Sequence, residues 1–133
     1  MAGPGFEIEP WEIFCDFEEQ IRPHDGLCAF PDCRAPFRAV KAWQRYCCAE
    51  CRRADQAEAR RVGHMIARPV LIMRETKHAK PRTGGALLNS SARRYVDQVA
   101  SRWREARTVR AREAEARTLM APKLSTAAAG ERP

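Results

Sequence analysis

Five cysteines, at positions 28, 33, 47, 48 and 51, fall within 24 residues of a 133-residue chain; a sixth stands apart at position 15. In a reducing compartment such clustered thiols are better read as thiolate ligands than as a disulfide framework. Two separated pairs close a tetrahedron around zinc, with Zn–S bonds of about 2.3 Å, and can fold a segment too small to have its own core. The first pair is Cys28-x4-Cys33. The second is either Cys47-x3-Cys51 or Cys48-x2-Cys51. One structural Zn2+ is therefore expected, with all four positions filled by sulfur and none left for water or substrate.

The segment runs CAFPDCRAPFRAVKAWQRYCCAECRR. Over these 26 residues it resembles the small treble-clef zinc proteins of bacteria and phages. Their pattern is a cysteine knuckle, a nearby Phe, then an aromatic residue followed by Cys-Ser-x-x-Cys-Arg. Here Cys28 and Cys33 stand for the knuckle, Phe37 for the packing aromatic, and Tyr46, Cys47, Cys51 and Arg52 for the second half. The knuckle is two residues longer than usual, and Cys48 takes the serine position. The resemblance implies Cys28, Cys33, Cys47 and Cys51 as ligands, with Cys48 as the alternative to Cys47. It also implies a loose hairpin over residues 34–46 and a helix starting near the last ligand.

Around this unit the chain reads as mainly α. PWEIFCDFEEQI places Phe14, Phe17 and Ile21 at helical spacing, so residues 1–24 are expected to hold an acidic amphipathic helix. Two roles are open to it besides packing into the small core: folding back over the basic body, or docking on another protein. Residues 25–67 form the treble-clef-like module with its helix. The helix should stop near Pro69, because proline lacks the amide donor and disfavours helix in the residue before it. A short apolar element, Val70–Met73, and a basic Pro/Gly loop then occupy 68–90, with Asn89, Ser90 or Ser91 capping the next helix. Residues 91–120 form a long helix with a face of Ala92, Tyr95, Val96, Val99, Trp103 and Ala106. That face thins beyond Arg107, where the helix is expected to project into solvent or meet a partner. Residues 121–133 read as a disordered tail. The fold class expected is thus mainly α, with a small zinc-bound β-hairpin.

Charge orients the search for a partner. Lys and Arg number 24 against 17 Asp and Glu, for a net +7. Residues 1–20 hold six acids and no base, so the rest carries about +13. Such a body attracts polyanions and gains affinity by releasing counterions from a phosphate backbone. Nucleic acid, DNA foremost, is the expected partner. The candidate contacts are Arg38, Lys41, Trp43, Arg45, Arg52, Arg53, Arg60 and Arg61, where arginine forks meet phosphates and an exposed indole can stack on a base.

No catalysis is expected. The histidines, 24, 64 and 78, lie outside the motif that a metal nuclease would need, and no phosphate loop, dinucleotide fingerprint, HExxH helix or GxSxG elbow occurs. Nor is a small-molecule substrate. The longest strongly apolar run is Val70–Met73, which excludes a spanning helix of about 20 residues. MAGPGFEIEPWEIF has no base ahead of an apolar stretch, so a cytoplasmic, regulatory DNA-binding protein is the first expectation. The alternative is a zinc-stabilised adaptor that binds proteins through 10–21 or 92–109. A dimer through the C-terminal helix is a third reading.

Overall fold

The computed structural model describes residue 5 and residues 7–120, so the expected tail at 121–133 lies outside the described residues. The chain is mainly helical. Two single turns, α1 (Trp11–Phe14) and α2 (Glu18–Ile21), precede two long helices, α3 (Ala49–Glu75) and α4 (Gly84–Met120), which pack against each other as an antiparallel pair. No strand forms among the described residues; one antiparallel bridge joins Leu27 to Pro36.

The expected helix over 10–21 is broken in two. Cys15 leaves helical geometry at φ −121° and ψ 65°. A continuous helix would set Glu12 against Asp16 at i and i+4, where like charges repel. The break instead lets the Trp11 indole donate to Glu18 across it at 2.7 Å. The apolar residues are not packed into a core. Phe14 remains 68% exposed, and Phe17 and Ile21 are exposed as well.

Proline 69 does not end α3. The helix runs through it to Glu75, absorbing the segment expected to be separate at 70–73. Proline inside a helix removes one backbone hydrogen bond and costs about 3 kcal/mol. Here Val62, Ile66, Pro69, Ile72 and Met73 are half-buried along one side of α3, so packing on α4 offsets that loss. Pro69→Ala is accordingly expected to stabilise the protein by roughly 1–3 kcal/mol, read as a raised urea midpoint.

The loop is shorter than expected, and α4 begins at Gly84 rather than near residue 91. Thr83, not Asn89, Ser90 or Ser91, caps it: its hydroxyl accepts the Ala86 amide at 3.3 Å and its carbonyl accepts the Leu87 amide at 3.1 Å. Gly85 suits the close approach there, because a Cβ would lie 3.0 Å from the Ala79 side chain, which would have to give by a few tenths of an ångström. Asn89 serves the other helix. Its side-chain amide donates at 3.0 Å to the Met73 carbonyl and to the Thr76 hydroxyl, satisfying the end of α3.

The inner face of α4 continues past Trp103 in the same register. Ala92, Val96, Val99, Trp103, Arg107, Arg110 and Ala114 are all buried or half-buried. The distal part of α4 therefore does not project into solvent; it covers the cysteine segment. Arg110 pairs with Asp32 at 2.6 Å and Arg34 with Glu115 at 3.0 Å.

The hairpin expected over 34–46 is not formed. Pro36 has no amide to give a ladder, and the Gln44 side chain occupies the backbone locally, accepting from Val40 N at 2.9 Å and donating to Tyr46 O at 2.8 Å. Pairing beyond the turns reduces to three bonds: Cys28 to Ala35 and Phe37 to Gly26 across the knuckle, and Ala29 to Arg45.

Candidate metal centre

Three local structures bring the thiols together. The knuckle turns through Phe30-Pro31-Asp32, where the Phe30 carbonyl accepts the amides of Cys33 at 3.0 Å and Arg34 at 3.1 Å. Arg34 sits in the left-handed region at φ 48°. It is held there by its guanidinium, which donates to Asp25, Glu115 and the Cys28 carbonyl. Burial opposes the charge of Arg34, but Asp25 and Glu115 more than offset this, so its pKa is raised. The Ala29–Arg45 bond then draws Tyr46 and Cys47 beside the knuckle, and Cys51 follows from the first turn of α3.

The Sγ atoms of Cys28, Cys33, Cys47 and Cys51 lie within 4.8 Å of one another. Cys47 is central, with its sulfur 3.7 Å from Cys33 and 3.6 Å from Cys51. Cys28 Sγ accepts the Cys47 amide at 3.4 Å, and Cys28 is wholly buried, at 0% exposure. Four such thiols can hold a metal ion. Without a cation two of them resist ionisation: burial first, then the neighbouring thiols, pushes Cys51 well above its ordinary range, and burial pushes Cys47 up to about 12. Burial also opposes ionisation of Cys28, but the amides of Cys47 and Phe30 outweigh it and bring its pKa down.

Cys48 stands outside the group. It is exposed, it precedes α3, and its sulfur lies 3.8 Å from that of Cys47. Cys15 is half-buried in the N-terminal segment and likewise is not among the four. His24 stacks obliquely near Phe37, with ring centroids 5.6 Å apart, and is not a member either.

The candidate nucleic-acid contacts fall on two surfaces. Lys41, Trp43 and Arg45 line one side of a groove of about 910 Å³, whose other side is the acidic N-terminal segment with Glu12, Asp16, Glu18 and Glu19. Trp43 is 71% exposed, with Lys41 Nζ 5.0 Å from its ring centre. Arg45 is already paired with Glu19 at 3.1 Å. Arg38 is exposed beside this groove's sequence segment. Arg52, Arg53, Arg60 and Arg61 are exposed on α3 and in no ion pair among the described residues, though Arg52 also lines the groove.

Sequence reasoning missed the polar seam that joins the metal centre to the helices. Asp55 and Glu58, each only 8% exposed, face α4. Arg107 donates to both carboxylates, Arg110 pairs with Glu58 at 2.6 Å, and the Trp103 indole donates to Glu58 at 2.9 Å. Tyr46, one residue before a central thiol, donates to Asp55 at 2.6 Å. The pattern was present as Asp-x-x-Glu on one helix and Arg-x-x-Arg on the other. No family model, curated protein or solved structure matches this chain.

Proposed function

We propose that the chain is a non-enzymatic nucleic-acid-binding protein stabilised by one zinc ion, a small DNA-binding regulator of bacterial or phage type. Tetrahedral zinc with 2.3 Å bonds sets its sulfurs about 3.8 Å apart. The separations of 3.6 and 3.7 Å around Cys47 fit that set, and thiolates favour zinc over hard cations. A knuckle followed by two ligands at a helix start also follows treble-clef order, with an irregular loop in place of the hairpin. With four thiolates the ion is a staple, and the function lies on the surface it holds.

One observation carries the DNA reading. Between Glu50 and Glu75 the only acids are Asp55 and Glu58, and both are turned inward onto Arg107 and Arg110. The outer side of α3 is left with Arg52, Arg53, Arg60, Arg61, Arg68 and Arg74, all exposed and unopposed over that length. Neutralising carboxylates inside while leaving arginines outside creates a purely cationic ridge, the electrostatic footprint of phosphate binding. The contact accordingly centres on α3 beyond Arg52, which like Trp43 and Arg45 lines the groove that holds the N-terminal carboxylates. Binding to a random duplex is expected to weaken steeply with salt, and Arg52→Ala/Arg53→Ala/Arg60→Ala to flatten that slope by roughly two to three. Absence of duplex binding at low salt would overturn the reading.

The adaptor alternative also has an observation in its favour: Trp11, Phe14, Phe17, Val40 and Trp43 expose apolar surface on and beside the groove. Isolated residues of this kind are ordinary, but a cluster marks a contact site for protein. It becomes the leading reading if duplex DNA is ignored.

A further inference from the structure

We propose that the turn between α3 and α4 is a second phosphate-binding surface, so that the protein lies lengthwise on duplex DNA and holds it about one helical turn apart. This rests on the DNA-binding reading and assigns it a geometry. Arg74, Lys77 and Arg93 surround a shallow depression of about 310 Å³, together with Val70, Met73 and Asn89. Lys80 and Arg82 lie on the adjoining turn. All five cations are exposed, and none is in an ion pair among the described residues.

The spacing comes from the helix. Arg53, Arg60 and Arg74 are separated by multiples of seven residues, which keeps them on one side of α3 with a drift of about 20° per heptad. At 1.5 Å per residue, Arg53 and Arg74 stand about 32 Å apart, and Lys77 extends the reach toward one B-DNA turn of about 34–36 Å. The same strand of a duplex returns to the same side after that distance. Cations near the metal centre and cations at the turn can therefore meet phosphates of one strand simultaneously, with Arg60 between them. Asn89 supports the far surface by tying the end of α3 to α4, which fixes Arg74 relative to Arg93.

The test compares wild type with Arg74→Gln/Lys77→Gln/Arg93→Gln on labelled duplexes of 8 and 20 base pairs, by fluorescence anisotropy across a salt series. The three side chains are exposed and unpaired, so the variant should retain the wild-type metal content and thermal midpoint. On 20 base pairs, the slope of log affinity against log salt is expected to fall by roughly two to three. On 8 base pairs, about 27 Å long and too short to run from Arg53 to Lys77, the slope should fall by less than on 20. Equal slopes on the long duplex, with binding intact, would overturn the far surface and leave the DNA reading standing. If wild type binds neither duplex, both fall.

Discussion

If the four thiols hold the proposed ion, a chelator is expected to release one ion per chain and to undock residues 24–48 from the helices. Structural zinc contributes roughly 10–16 kcal/mol of apparent binding free energy in small finger peptides. A typical domain has about 5–15 kcal/mol in all. The cysteine segment has little else: no strand, three backbone bonds beyond its turns, and one wholly buried side chain, Cys28, itself one of the four thiols. Cys28→Ser should therefore abolish stoichiometric metal and shift near-ultraviolet circular dichroism from Tyr46 and the tryptophans. Cys48→Ser, outside the four-thiol group, should keep one ion per chain. Metal analysis of the purified variants checks both. Full metal in Cys28→Ser, or none in Cys48→Ser, would replace the ligand set.

Arg107→Met is expected to cost about 3–5 kcal/mol, because it leaves two nearly buried carboxylates without their shared partner. Asp55 and Glu58 have few other donors: Tyr46 for one, Trp103 and Arg110 for the other. Chemical denaturation at neutral pH measures the loss, and a change under about 1 kcal/mol, the range of an exposed ion pair, would mean that the seam is wetter than its burial implies. The same seam sets an acid limit. Burial alone would raise the Glu58 pKa, but Trp103, Arg107 and Arg110 outweigh it and the net shift is downward from 4.5. A lowered folded pKa means that the stabilisation is present above the unfolded value and is lost as pH falls through the folded one. Wild-type stability should thus decline below about pH 4.5, and Glu58→Gln should flatten that decline while being less stable at pH 7.

The four-thiol group was legible because thiol spacing is a local property: Cys28, Cys33, Cys47 and Cys51 are near in sequence, and their Sγ atoms converge where they could hold a metal ion. The long C-terminal helix was legible from Ala92 to Trp103 for a similar reason, since apolar periodicity reports one face, although Tyr95 and Ala106, read onto that face, are exposed. What failed was anything decided across the helix pair. Proline 69 reads as a stop, and only the partner helix explains why it is not one. Arg107 and Arg110 read as the fading of a face when they continue it, because a pattern that counts apolar residues cannot see an arginine whose acid lies some fifty residues away in sequence. The hairpin expected from the treble-clef resemblance fails on Pro36 and Gln44, two residues whose effect was visible but was not weighed.

Asn89 has a consequence for how the molecule comes apart. The turn end of the helix pair is fastened by an amide that needs neither metal nor charge, whereas the opposite end rests on ionised side chains and on four thiols that could hold a metal. Chelators and acid therefore act on one extremity alone. Under either stress the pair should fray from the cysteine end while the turn stays closed, and amide protons near Met73 and Thr76 should be the last to exchange.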